Sequence, residues 1–374
     1  MFIAIRDLRR SWSRFLLVGL VVVLVALLTT VLGALANGLV RDGISGLRAL
    51  PFDHMAFEHG SKATFSRSTM TDETLAAYRK IPGVQATPLG VSFANAKSGS
   101  SKPDLDVALF GVEDDSFLVR DANAGDAARS DAHAALAGKP GLVLSGGLAS
   151  EGVKVGDRYT FTSSGTTLPV LGFTFSGSYG HAPIAFTSLD TWQKLTYGND
   201  ARGRFSAIAL RVPDSAQAAV DRVAADTGTE VKTKSATYDG SPGFTAEQST
   251  MSLIRGFLLV ISALVVGAFF TVLIVQRTRQ VGLLKAMGAS SWYVIRDGLA
   301  QMVIVVAIAT IIGSAVGAGV IALMSGGDAP VELVPSTVIW GIVLLIVAGV
   351  AGSLVPLKRI TGIEPAIALG ASEQ

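Results

Sequence analysis

Residues 15–40 read FLLVGLVVVLVALLTTVLGALANGLV, 26 positions without one Asp, Glu, Lys or Arg. A span needs about 20 mainly apolar residues, so a helix over this run crosses the hydrocarbon core of a bilayer with length to spare. Three further stretches share its character: 256–276 (GFLLVISALVVGAFFTVLIVQ), 298–327 (GLAQMVIVVAIATIIGSAVGAGVIALMSGG) and 333–357 (LVPSTVIWGIVLLIVAGVAGSLVPL). The chain of 374 residues is only 16% charged, but the four stretches hold 102 residues and the other 272 carry all 60 charges. That remainder is about 22% charged, which is ordinary soluble composition. The arithmetic excludes both a purely soluble enzyme and a purely lipid-embedded channel. It predicts a membrane α-helical bundle of four transmembrane helices, with an extracytoplasmic mixed α/β domain between the first and second.

A fifth charge-free gap, 159–189 (YTFTSSGTTLPVLGFTFSGSYGHAPIAFTSL), shows that apolar length decides and not absence of charge. Its Ser, Thr, Gly and Pro would leave unsatisfied polar groups in lipid, and its alternation is that of strands.

The short flanks set the orientation. Residues 1–14 carry Arg6, Arg9, Arg10 and Arg14 against Asp7; the loop after the second span carries Arg277, Arg279, Lys285 and Arg296 against Asp297; Lys358 and Arg359 follow the fourth. All three clusters fall on one side of a four-span topology, and the positive-inside rule makes that side cytoplasmic. Residues 41–255, with 21 basic and 23 acidic side chains, lie outside. The expected location is the bacterial cytoplasmic membrane, multi-pass, with both termini cytoplasmic. No basic block points to nucleic acid. Ala34-Leu35-Ala36 resembles a signal-peptide cleavage site, but the apolar run is longer than a signal core, so the first span is expected to be retained. With zero cysteines, an exported domain of this size holds together by its core.

The expected segments are a cytoplasmic amphipathic helix at 1–14 (Met1, Ile5, Leu8 and Trp12 on one face), spans at 15–40, 253–276, 298–324 and 336–357, the α/β domain at 41–252, a cytoplasmic segment at 277–297, an external loop at 325–335 and a tail at 358–374. Within the α/β domain, 71–80 and 216–227 read as helices. Residues 84–94, 141–145, 159–175, 205–212 and 230–234 read as strands, with 205–234 forming a β-α-β unit. Residues 95–104 and 121–139 read as loops or mobile segments, and His133 as a surface residue in a loop. His54 and His59 face opposite ways on a strand, and His181 sits in a Gly-rich turn. In the third span, Gly313, Gly317 and Gly319 form a small-residue pattern that serves either packing within one bundle or a two-fold interface.

Chemistry-bearing motifs are sparse. There is no GxxxxGK[ST] phosphate loop, no Gly-x-Ser-x-Gly elbow and no HExxH helix. No catalytic or metal-ligating set is expected, and any ATP-driven work belongs to another polypeptide. The distinctive cytoplasmic stretch is 277–290, RTRQVGLLKAMGAS, in which Val281, Leu283, Leu284 and Met287 are apolar among Arg277, Arg279 and Lys285. Charge bias explains the basic residues of such a loop but not the apolar ones.

This stretch resembles the R-x-x-E-I-G-L-L-K/R-A-I/L-G-A segment of MacB/FtsX-type ABC transporter permeases, with Gln280 in place of the usual Glu and Val281 in place of Ile. The ending at 356–369, PLKRITGIEPAIAL, and the turn at 152–157, GVKVGD, are similar to the same family, and the span order matches throughout the chain. The resemblance implies a permease subunit that is not itself an enzyme, a homodimer with two copies of a cytoplasmic ATPase that carries ATP and Mg, and a coupling surface at Arg277, Arg279, Val281, Leu283, Leu284, Lys285 and Met287. That surface would be a short amphipathic helix docking in a groove of the ATPase.

Residues 238–251, YDGSPGFTAEQSTM, are similar to the haem-exporter (HrtB-type) branch of these permeases. The resemblance implies haem as the transported ligand, with no resident cofactor. Tyr238, Glu247 and Met251 offer oxygen and sulfur to an iron. Arg255 suits a propionate, pairs with Glu247, or snorkels to lipid phosphate. The same residues have plainer readings: Glu247 complements a helix dipole, and Met251 packs in the membrane. Two other functions remain open at this point. One is a mechanical transmitter that acts on a cell-wall enzyme, lipoprotein or peptide partner. The other is a sensor subunit for peptide antibiotics, against which the span count argues.

Overall fold

The structure is a computed structural model and describes residues 12–99, 102–122, 127–137, 139–198, 203–288, 290–325 and 331–361. The expected amphipathic helix before Trp12 and the tail after Thr361 fall outside the described residues, as do residues 326–330 of the loop before the fourth span. The helices, in chain order, are α1 (Trp12–Asp42), α2 (Ser45–Ala49), α3 (Asp72–Arg79), α4 (Phe117–Ala122), α5 (Ala127–Ala134), α6 (Gly147–Ser150), α7 (Leu189–Tyr197), α8 (Gln217–Thr227), α9 (Lys234–Thr237), α10 (Phe244–Ala286), α11 (Ser291–Met324) and α12 (Pro335–Thr361). The strands are β1 (His54–Glu58), β2 (Met70–Thr71), β3 (Gln85–Ser98), β4 (Leu105–Val112), β5 (Leu142–Ser145), β6 (Arg158–Phe161), β7 (Thr167–Thr174), β8 (Ser178–Tyr179), β9 (Ala182–Ser188), β10 (Arg204–Phe205), β11 (Ala207–Arg211) and β12 (Thr229–Thr233). Two compact units result: residues 40–247, and residues 1–39 together with 248–374.

The 40–247 unit is built on one large sheet in the order β12-β1-β11-β3-β4-β9-β5-β7-β6. The 14-residue β3 is long enough to pair with β11 and β4 along most of its length and with β6 at its end, through Ala96, Lys97 and Ser98. The pairings β3-β4-β9-β5-β7-β6-β3 therefore close a ring, which removes free strand edges on that side. Alternate residues of the central strands enter two separate cores. Ile208 and Leu210 of β11 share one core with Val107 and Leu109 of β4, whereas Ala207 and Ala209 share the other with Phe110 and Val112. Period-2 burial on both faces explains why these strands read as nearly continuous apolar runs. α8 connects β11 to β12, and both strands pair antiparallel with β1 between them.

Two expectations about loops are corrected. Residues 95–98 continue β3, because Asn95 and Ala96 pair with Asp106 and Leu105 while Asn95 and Asp106 also bond through their side chains. Polar composition there reflects an exposed paired strand and not a loop. Within 121–139, α4 ends at Ala122, α5 covers Ala127–Ala134 and a 3-10 turn covers Ala135–Ala137. The Ala-rich sequence favours helix, and Ala132 and Leu136 bury into the core.

Among the described residues, four helices are long and apolar enough to span a membrane, over Gly19–Asp42, Phe244–Phe269, Gly298–Met324 and Pro335–Gly352. Glycines set their closest approaches. A Cβ on Gly313 would stand 2.3 Å from Val23 O, and one on Gly317 would stand 3.0 Å from Thr30, so these two glycines of α11 pack against α1, whereas a Cβ on Gly319 meets nothing within 4 Å. On the other side, a Cβ on Gly352 of α12 would stand 2.0 Å from Ala263 O of α10. Val22, Val266, Met302, Val306 and Ala309 fill the centre.

Candidate functional site

Within the 40–247 unit, three pieces of chain meet at one corner: the end of α1, the β8–β9 hairpin and the first turn of α10. Ser178 pairs with Pro183 and Tyr179 with Ala182, leaving Gly180 and His181 as a two-residue turn. Both hold positive φ, +57° and +64°, the type I′ conformation whose twist matches a hairpin. Histidine at that φ is uncommon and costs about 1 kcal/mol, so something else holds it there. Gly180 N donates to Gly43 O at 2.8 Å, and Ser178 Oγ donates to Asp42 O at 2.8 Å. Ser178 N donates to Ser45 Oγ at 2.8 Å, which completes the attachment of the hairpin to the α1–α2 corner.

From this anchored tip the His181 ring reaches two carboxylates. Nε2 lies 2.8 Å from Glu247 Oε1, and Nδ1 lies 3.7 Å from Asp42 Oδ2. An ionised carboxylate only accepts, so Nε2 carries the proton of the shorter contact. Space for the ring depends on Gly43, where a Cβ would stand 3.1 Å from His181 Cε1. Gly243, at φ +81°, starts the helical turn that brings Glu247 N to Gly243 O at 2.8 Å.

Beside the hairpin, Tyr179 stacks on Phe93 with centroids 5.8 Å apart, and Phe93 is half-exposed. A cavity of about 240 Å³ lies next to them, walled by Phe65, Phe93, Tyr179, Trp192 and Pro242. Burial pushes the Tyr179 phenol well above its ordinary range. Burial also raises the Tyr238 phenol, whose ring lies 6.4 Å from that of Phe244.

The expected site residues are thus distributed as follows. Glu247 is held by His181. Tyr238 packs on Phe244, and no described contact joins it to Glu247. Met251 is half-buried on α10, one turn beyond Glu247. Arg255 does not pair with Glu247: its Nη2 donates to Asn37 Oδ1 at 3.1 Å and to Gly33 O at 3.3 Å inside the membrane unit. His133 corrects its expectation, since it lies on α5, is buried and bonds Thr174 Oγ1 at 3.3 Å. Asp42 and His181 are the functional candidates that sequence reasoning missed. The only available signal was the Gly-His pair between two short strands.

At the far end of α10, the helix carries Arg277, Arg279, Val281, Leu283, Leu284 and Lys285 without a break. Its 43 residues make about 64 Å of helix, twice the bilayer core, so the coupling stretch continues the span and is not a separate short helix. Gly288, at φ +94°, then turns the chain into α11, leaving Met287 and Trp292 exposed on either side.

Residues 252–365 match the model of the FtsX-like permease C-terminal family. The chain carries an FtsX-like permease domain. The permease is 24% identical over 382 residues, covering all of both chains, to the "Putative hemin transport system permease protein HrtB" of Staphylococcus haemolyticus. It is 29% identical over 129 residues to the macrolide export ATP-binding/permease protein MacB of Wolinella succinogenes, covering 33% of this chain and 20% of that one. Among solved structures, the periplasmic region of MacB from Actinobacillus actinomycetemcomitans covers 52% of the permease at 13% identity and TM-score 0.36, with 94% of that region covered. The FtsX-like domain is confined to 252–365, and beyond it the chain is similar to ABC transporter permeases of the HrtB and MacB kind.

Proposed function

We propose that this permease is the membrane subunit of an ATP-driven exporter that removes haem, or a similar membrane-partitioned amphiphile, from the cytoplasmic membrane. The observation that carries the reading is the full-length similarity, at 24% identity, to the putative hemin transport system permease protein HrtB. Glu247, Met251 and Arg255 support it by falling four residues apart on α10, with an oxygen ligand, a soft sulfur and a cation in sequence. Charge-free mid-span sequences support lateral access from lipid over an aqueous pore.

In the proposed cycle two permease chains form a homodimer with two ATPase subunits. Closure of the ATPases pushes on residues 277–292, the helix bundles shift as rigid units, and the extracytoplasmic domains open or close over the cargo. The N- and C-termini lie in the cytoplasm, as the basic flanks require.

Haem titration of the purified permease in detergent, followed by absorbance, tests this. The expected result is a saturable Soret shift near one haem per dimer, lost in Glu247→Ala and in Met251→Ala. A wild-type protein with no saturable shift overturns the haem reading.

A further inference from the structure

A second cavity, of about 280 Å³, lies inside the membrane unit, where α1 ends and α10 enters. All four spanning helices contribute to it, and Leu259, Trp340, Leu344 and Leu345 make most of its wall apolar. One wall is different: it carries Arg255. The guanidinium is half-buried, and its two hydrogen bonds, to Asn37 Oδ1 and Gly33 O, both use Nη2 and both go to neutral acceptors. Among the described residues no carboxylate pairs with Arg255. A cation at a membrane edge is stabilised when an anion binds it directly.

The glycines of the cavity point the same way. Gly33 and Gly341 both line it, and a Cβ built on either meets nothing within 4 Å. Gly313 and Gly352, by contrast, are required by contacts of 2.3 and 2.0 Å to neighbouring backbone. Gly33 and Gly341 therefore do not serve helix packing; they keep a space open. A volume just under the usual 300–1,000 Å³ of whole small-molecule pockets is small for a porphyrin and suits a single hydrocarbon chain.

We propose that each permease chain holds one anionic phospholipid here, with an acyl chain in the cavity and the headgroup phosphate on Arg255. Guanidinium and phosphate match in bidentate geometry, and the Nε and Nη1 donors, unused among the described residues, are available for it. The site shares Arg255 with the cargo reading but is tested apart from it, since lipid is counted with no haem present.

The test is native mass spectrometry of the full-length protein in detergent, with phosphatidylglycerol or phosphatidylcholine added in turn. Wild type is expected to retain one phosphatidylglycerol per chain, in roughly tenfold preference to phosphatidylcholine. Arg255→Gln should lose the preference while still retaining lipid, and Arg255→Lys should keep part of it. Gly341→Leu, which fills the cavity, should lose both lipids with its melting temperature unchanged or raised. Gly33→Val is the second filling variant should Gly341→Leu fail to fold. Equal retention of the two lipids by wild type overturns the proposal, as does full retention in a folded cavity-filling variant.

Discussion

His181 Nε2 and Glu247 Oε1 stand 2.8 Å apart, joining the tip of the β8–β9 hairpin to the first turn of α10. Both side chains are partly exposed, 37% and 25%, so the bond is worth about 1 kcal/mol and not the full value of a buried pair. If Glu247 exchanges His181 for cargo iron, that amount is subtracted from binding. His181→Ala is then expected to tighten haem in the absorbance titration by roughly fivefold. Weaker binding in this variant would instead place His181 among the ligands.

The membrane half was legible because its signal is one-dimensional: 26 charge-free, mainly apolar residues in a row have one stable solution in lipid. The strand at 205–212 was legible as a short apolar run, and the helix at 216–227, one residue longer than the observed Gln217–Thr227, from its Ala-rich sequence between two strands. The His181–Glu247 contact was not legible, since it depends on a hairpin register 66 residues away. Likewise His133 looked like a loop residue in an Ala-rich segment; only the packing of α5 on β7, where a Cβ at Gly172 would stand 2.4 Å from Ala132 Cβ, makes it buried. Arg255 offered three partners in sequence, and the turn geometry of α1 decides for Asn37.

His133 carries a pH prediction. Burial lowers its pKa from the ordinary 6.5 to about 4, and its Nδ1 has no hydrogen-bond partner among the described residues. Below pH 6.5 the unfolded chain takes up a proton that the folded one refuses. Stability is therefore full above pH 6.5, falls as pH drops towards 4, and levels off below; the total from this group is about 3 kcal/mol. In His133→Gln the decline of melting temperature between pH 6.5 and 4 should be visibly shallower than in wild type. Parallel profiles would show that the ring is protonated in the folded state.

Trp192 constrains two glycines across a strand pair. Gly90 and Gly111 face each other in the β3–β4 register, and a Cβ on either would stand 2.3 or 2.4 Å from Trp192. The indole is buried, with Nε1 donating to Ser92 Oγ at 3.0 Å. Gly90→Ala or Gly111→Ala is expected to destabilise by about 1–3 kcal/mol through overpacking. Trp192→Ala should cost about 3–5 kcal/mol. The combination Gly90→Ala with Trp192→Ala should cost less than the sum, because the added methyl enters vacated space. Additivity in denaturant unfolding would mean that the strands relax independently of the indole.

Met287 tests the coupling surface. It is 70% exposed beside the left-handed Gly288, at the point where α10 gives way to α11, and an exposed methionine at a helix end gains nothing from water. Docked in an apolar groove of an ATPase, such a side chain contributes about 1.5–3 kcal/mol, so Met287→Glu is expected to weaken the ATPase–permease association at least tenfold. The variant should fold normally, since the side chain touches little of its own chain. Surface plasmon resonance with the ATPase immobilised reads the affinity, and ATP hydrolysis by the assembled complex reads the coupling. Wild-type affinity together with wild-type hydrolysis would move the contact to another part of 277–292, with exposed Trp292, on the other side of the turn, the next side chain to change.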